Sequence, residues 1–302
     1  MKTILFFLLS LIISQSVAGR EVGLVTTMSG TIRLTHNGVE KFLKPDSIIC
    51  SDDTIRTESD AWARILFYDP DLAGTEIVGS SRIFEISDQL NTSTAETAFK
   101  ELPKELLYPF IGLSAKTPVS VKPFAEEPAK FIIFPRGRTD QEIQVIIWYP
   151  VKNATEYLLK ITAETDKIVT IRELHTRKNY LGCIGVFKSG RRYNLSICAR
   201  NRGIPLLEEK VGISVEHSPE IESKLSEIRK IFPSSDSDCT GLMLAGNLYF
   251  TRSLYSNAFF EYFSCLRRFN SQTAEKLLYA AAEKLSLPVD PVALRYMPLP
   301  GE

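Results

Sequence analysis

The residues able to do chemistry in this chain are few and widely spaced. It has three histidines, His36, His175 and His217, and five cysteines, Cys50, Cys183, Cys198, Cys239 and Cys265. No Cys-x-x-Cys or Cys-x-x-His spacing occurs, so a zinc site has little support. No HExxH helix, nucleophile elbow or glycine-rich phosphate loop is present either. A Cys–His pair can still meet in space, but the abundant carboxylates follow no catalytic pattern. We therefore expect no catalytic residues, no cofactor and no metal. Asp52, Asp53 and Asp69 are the acids that could hold a cation or exchange a proton. Each also stands at a turn, where a short polar side chain satisfies backbone amides, and we read them that way. For binding, the candidate contacts are Trp62 and Arg64. In Ala61–Phe67 the alternation of a strand puts Trp62, Arg64 and Leu66 on one face and the alanines, Ile65 and Phe67 on the other. An exposed Trp62 could stack on a sugar.

The remaining composition narrows the partners. Thirty-six Lys and Arg balance thirty-six Asp and Glu, so no global field draws in nucleic acid or anionic lipid. At 302 residues the chain has room for two or three domains. Lys2, the apolar run Ile4–Ile13 and Ser16-Val17-Ala18 have the layout of a signal peptide over residues 1–18, with cleavage expected after Ala18. The run is short for a bilayer span of roughly 20 residues, so membrane contact is expected only if this segment stays uncleaved. In an oxidising compartment some cysteines could pair. Cys183 and Cys198 are nearest in sequence, and the odd count leaves at least one thiol free or intermolecular.

Residues 19–88 are rich in Val, Ile and Thr, broken by Gly, Pro, Asn and Asp. Thr31–Thr35 alternates and His36-Asn37-Gly38 predicts a hairpin turn, since both central positions accept a positive φ. Thr54–Thr57, Ala61–Phe67 and Ile83–Ile86 continue as strands. The order Val25, Gly30-Thr31-Ile32, Gly38, Leu43, Asp53-Thr54-Ile55-Arg56-Thr57, Ser59, Ala61, Arg64–Phe67 and Asp69 resembles the periplasmic domain of the FecR family. The likeness covers about 65 residues. It departs where the family usually has glycine, at Asp46 and Asp52, and at Asp69-Pro70-Asp71. FecR-type regulators also carry a cytoplasmic segment before their membrane span, whereas only Met1-Lys2-Thr3 precedes the apolar run here.

A proline-spaced linker is expected over 89–127, with moderate helical character from Ser93 to Leu107. Strand patterning returns over 128–217, where short strands at this spacing predict a β-sandwich. The segment resembles a fibronectin type III domain. Trp148 stands for the early-strand tryptophan and Tyr157 for the following aromatic. Phe187-Lys188-Ser189-Gly190-Arg191-Arg192-Tyr193 stands for the tyrosine corner, and we read Trp148 and Tyr193 as core and corner residues.

Over 218–290 the period shifts to about 3.6. Ser218-Pro219-Glu220 opens a helix with Leu225, Ile228 and Ile231 on one stripe, and Pro233 with Ser234–Asp238 ends it. Leu242, Ala245, Gly246, Tyr249, Tyr255, Ala258, Tyr262, Cys265 and Leu266 resemble one tetratricopeptide repeat. Gly246 and Ala258 would let two helices approach closely, and Thr273–Leu287 could add a third. One marked repeat predicts a small helical hairpin or cap rather than a peptide groove; residues 291–302 form a tail.

The fold class expected is thus mostly β and multi-domain, with a helical C-terminus. The resemblances imply an exported, non-enzymatic binding or scaffold protein, in the periplasm or on the surface of a bacterium, whose partners are envelope proteins. The alternatives are a binder of cell-wall polysaccharide or peptidoglycan and a membrane-anchored FecR-type regulator.

Overall fold

The computed structural model describes residues 19–68, 74–79, 81–87, 106, 108–110, 130–140, 145–164, 169–182, 186–232, 239–287, 289 and 294. The expected signal segment, nearly all of the linker, Asp69 and Cys183 lie outside them. The fold is mostly β, with helices gathered at the C-terminus. The chain divides into two compact units, 1–104 and 105–302. No helix among the described residues is long and apolar enough to cross a membrane.

The first unit has strands β1 (Glu21–Ser29), β2 (Ile32–His36), β3 (Val39–Phe42), β4 (Ile48–Cys50), β5 (Thr54–Thr57), β6 (Trp62–Phe67), β7 (Gly74–Val78) and β8 (Ile83–Glu85). They form two four-stranded sheets, in the orders β4-β1-β6-β7 and β3-β2-β5-β8. Every ladder in both is antiparallel. Val22, Val25, Ala63, Ile65 and Phe67 from one sheet share a buried core with Ile32, Leu34, Ile55 and Phe84 from the other. The expected β2–β3 turn is present, with Asn37 at φ 49° and Gly38 at φ 74°. Gly30, at φ +78°, lies so near Ala61 that a Cβ would stand 2.8 Å from that residue's Cα, which explains why only glycine fits there. Thr57 closes the far end. Its hydroxyl donates to the Gly79 carbonyl at 2.5 Å and accepts the Arg82 amide at 2.9 Å.

The second unit opens with a short 3-10 turn at Tyr108–Phe110 and continues as a sandwich. Its strands are β9 (Ile132–Phe134), β10 (Gly137–Asp140), β11 (Val145–Trp148), β12 (Glu156–Glu164), β13 (Val169–Thr176), β14 (Tyr180–Gly182), β15 (Arg192–Asn201) and β16 (Ile204–Glu216). One sheet runs β10-β16-β15-β12-β13, the other β14-β11-β9. All ladders are antiparallel except β10–β16, which is parallel. Trp148 is fully buried and meets the edge of Tyr157 at 5.4 Å, as core residues should. The Tyr193 hydroxyl accepts the Lys188 amide at 2.6 Å, the return bond to the preceding loop expected of a tyrosine corner. Glu209 is a buried carboxylate with its oxygens fully engaged. One accepts the amides of Phe131 and Ile132 at 2.5 and 2.6 Å, and the other binds the Arg136 guanidinium. That pairing offsets the cost of placing a charge inside the sandwich.

Among the described residues, four helices follow: α1 (Pro219–Ile231), α2 (Cys239–Thr251), α3 (Tyr255–Phe269) and α4 (Gln272–Lys284). Each contacts the next. They form a series of packed helices in which α2 and α3 fall on the expected hairpin, and α1 and α4 on the other two segments read as helical. Ser218 caps α1 by accepting the Ile221 amide, with Pro219 in the first turn. Ile221, Leu225 and Ile228 are buried on α1, while Ile231 is half-buried, so the stripe sits one turn earlier than the sequence pattern predicts. Gly246 admits the Tyr262 ring, as its small size predicts; a Cβ there would lie 2.4 Å from a ring carbon.

Cys239 and Cys265 form a disulfide between α2 and α3, while Cys50 and Cys198 are free. The pairing suggested by sequence proximity, Cys183 with Cys198, is therefore not made. Proximity in sequence says little about strand ends, whereas helix packing brings positions 26 apart to a Cα separation of 5.3 Å.

The helices are joined to the sandwich through the first turns of α3. Ser256 Oγ accepts the Arg136 amide at 2.9 Å, and Phe260 stacks on Phe134 at 4.9 Å. Asn257 meets Asp140 on β10.

Candidate functional site

At one end of the first unit, four side chains with lone pairs converge. His36 is the last residue of β2, Cys50 the last of β4, and Asp52 and Asp53 form the turn into β5. One donor atom from each lies within 4.8 Å of the others. The β2–β5 ladder pairs Thr35 with Thr54, so register alone places His36 beside Asp53. His36 Nδ1 and Asp53 Oδ1 are 2.6 Å apart, and Asp52 Oδ1 lies 3.9 Å from the same nitrogen. The Asp53 side chain is 1% exposed; its second oxygen accepts the Cys50 amide at 2.8 Å. This last bond is the turn chemistry expected of Asp53. Asp69 lies outside the described residues. The sequence reading missed His36 and Cys50 as members of the group. The Asn37-Gly38 turn marks His36 as a strand end, but no local signal places it beside the Cys50–Asp53 turn.

The electrostatics of the group oppose nucleophilic catalysis. Burial, then Asp53 and Asp52, push the Cys50 thiol up to about 11, so it keeps its proton at neutral pH. An activated cysteine needs the opposite shift. Nor does His36 serve the thiol as a base: its Nδ1 faces Asp53, and its Nε2 lies 3.0 Å from Asn37 Nδ2. The other two histidines belong to the second unit, His175 exposed on β13 and His217 just before the cap of α1.

Trp62 and Arg64 fall on the same face of β6, as alternation predicts. Trp62 is 36% exposed, and Arg64 is half-buried, with its guanidinium pKa lowered by burial. Leu66 on that face is fully buried, so the accessible part is confined to the Trp62 end.

The other sheet carries a broader exposed face. Its ladders align Phe42 with Arg33, Arg33 with Arg56, and Arg56 with Ile83. Partners across antiparallel strands share a face, so these four side chains form one row over β3, β2, β5 and β8. Phe42 and Ile83 are 63% and 61% exposed. The Arg33 guanidinium lies 5.6 Å from the Phe42 ring centroid and pairs with Glu40 at 3.0 Å and Glu58 at 3.6 Å.

No family model matches the chain, and no curated protein matches it. Among solved structures, one described as a "Cell surface anchoring domain" is 25% identical over 26% of this chain and the whole of that one. The TM-score is 0.22, too low for the likeness to bear on fold or function.

Proposed function

We propose that this chain is an exported, non-enzymatic protein of the bacterial cell envelope that binds other envelope proteins through its N-terminal unit. In this reading residues 19–88 are a FecR-like domain, 128–217 a fibronectin type III-like sandwich and 218–290 a tetratricopeptide-like helical region. The observation that carries it is the row Phe42–Arg33–Arg56–Ile83. Two large apolar side chains stand in water at either end of the row, flanking two arginines on neighbouring strands, of which Arg33 is held by Glu40 and Glu58. Aromatic and arginine side chains are enriched at protein interfaces. A partner that covers Phe42 and Ile83 with apolar side chains would remove that exposure. The backbone at Asp46 supports the FecR resemblance. Its φ of 64° is the left-handed conformation that the family's usual glycine supplies without strain, and aspartate is among the few other residues that tolerate it.

The test is a parallel pull-down of residues 19–302 against envelope extract and purified cell-wall sacculi, with a Phe42→Ser/Ile83→Ser variant alongside. Discrete protein partners that are lost with the variant support the proposal. Partners retained equally by both proteins would sink it. A second reading, binding of cell-wall glycan, draws on the exposed Trp62 beside Arg64; it is supported if sacculi retain the protein and Trp62→Ala does not bind.

A further inference from the structure

We infer that His36, Cys50, Asp52 and Asp53 form a binding site for a divalent transition metal of the Zn2+ class, one that clasps the two sheets of the first unit together. The donor set comprises one imidazole nitrogen, one thiol sulfur and two carboxylates, a mixture that suits a borderline cation better than Ca2+ or Mg2+. The four atoms already lie within 4.8 Å. Tetrahedral zinc holds its ligands roughly 3.3–3.8 Å apart by its bond lengths, so shifts of about 1 Å complete the set. The anchors are unequal, as a built site requires. Asp53 is buried and fixed by the Cys50 amide, whereas Asp52 is more than a third exposed. Gly19 leaves room for it: a Cβ at that position would stand 1.6 Å from Asp52 Oδ1.

The groups around His36 can be rearranged to those of a metal ligand. His36 Nδ1 faces Asp53 Oδ1 at 2.6 Å, and Nε2 faces the Asn37 side-chain amide at 3.0 Å. A cation would bind at Nδ1, between the ring and Asp53. The imidazole then carries its proton on Nε2, and a half-turn of the Asn37 amide meets it with an oxygen, giving the outer partner that ligating histidines have. The Cys50 thiol gives its proton to solvent as it binds. Because Cys50 ends a strand of one sheet, while His36 and Asp53 flank paired strands of the other, the ion would bridge both layers.

The test is a Co2+ titration of residues 19–302 carrying Cys183→Ser and Cys198→Ser, with the Cys239–Cys265 disulfide kept, so that Cys50 is the free thiol. One equivalent of Co2+ should produce a thiolate-to-metal charge-transfer band and the d–d bands of a tetrahedral ion, both abolished by Zn2+. Cys50→Ser should remove the charge-transfer band. His36→Gln, which keeps a donor for Asp53 and so protects folding, should weaken Co2+ at least tenfold. Absence of the thiolate band at stoichiometric Co2+ would overturn the assignment, as would its survival in Cys50→Ser. The Phe42–Ile83 face is separate chemistry, and neither result bears on the other.

Discussion

Asn257 and Asp140 bond to each other twice: the Asp140 amide donates to Asn257 Oδ1 at 3.1 Å, and Asn257 Nδ2 donates to Asp140 Oδ1 at 2.9 Å. Both residues are buried, and 117 positions separate them. This reciprocal pair joins an edge strand of the sandwich to the third residue of α3. Removing the amide strands a buried backbone N–H, which costs about 1–3 kcal/mol. We expect Asn257→Ala to lower stability by about 2 kcal/mol, within that range. In urea unfolding, a shift much below this would mean that water replaces the amide without penalty.

Gly246 sets helix spacing. Alanine would raise helix propensity there by about 1 kcal/mol. Against that, its Cβ meets the Tyr262 ring, which is fully buried and anchored by a 2.7 Å bond from its hydroxyl to Asn247 Oδ1. Overpacking of this kind costs about 1–3 kcal/mol, so the steric term should win. Gly246→Ala should therefore lower Tm; a rise would show that the ring moves freely.

Reduction of Cys239–Cys265 should destabilise the helical series. A crosslink spanning 26 positions stabilises by about 3–4 kcal/mol through the entropy of the unfolded chain. Thermal unfolding of a Cys239→Ala/Cys265→Ala variant, compared with the oxidised protein, measures the difference.

Arg138 and Glu216 lie on the parallel β10–β16 ladder and form two bonds at 2.6 and 2.7 Å. The arginine holds the Glu216 carboxyl below its ordinary value of 4.5. A depressed folded-state pKa gives stability that is present above 4.5 and fades as pH falls through the lowered value. Both side chains are more than a third exposed, so solvent screening keeps the contribution to less than about 1 kcal/mol. The stability difference between wild type and Glu216→Gln should shrink on acidification and with added salt.

Trp62→Ala should leave Tm nearly unchanged, within about 0.5 kcal/mol in stability, because the ring is already 36% exposed at the start of β6. A large fall would mark the ring as part of the core and remove the ground for glycan stacking.

Features carried by a few adjacent residues were legible in the sequence. Asn37-Gly38 gave its hairpin, Tyr193 its return bond five residues back, and Ser218-Pro219 its cap, since each depends on a local backbone geometry. The Trp62–Arg64 face followed from alternation alone. What stayed hidden depends on register between distant segments. The His36–Asp53 contact needs the β2–β5 pairing, and the parallel β10–β16 ladder needs the sandwich already closed. Asp140–Asn257 and Cys239–Cys265 exist only once helices have docked. Each of these residues is individually ordinary, and no spacing rule links them.

The way α3 begins has a consequence for how such a protein can be cut and recombined. Ser256, Asn257 and Phe260 reach the segment between Phe134 and Asp140, so a splice placed just before Pro219 would divide a shared buried seam rather than release two self-sufficient parts. For inheritance by shuffling, the sandwich and its helices travel as one exchangeable piece.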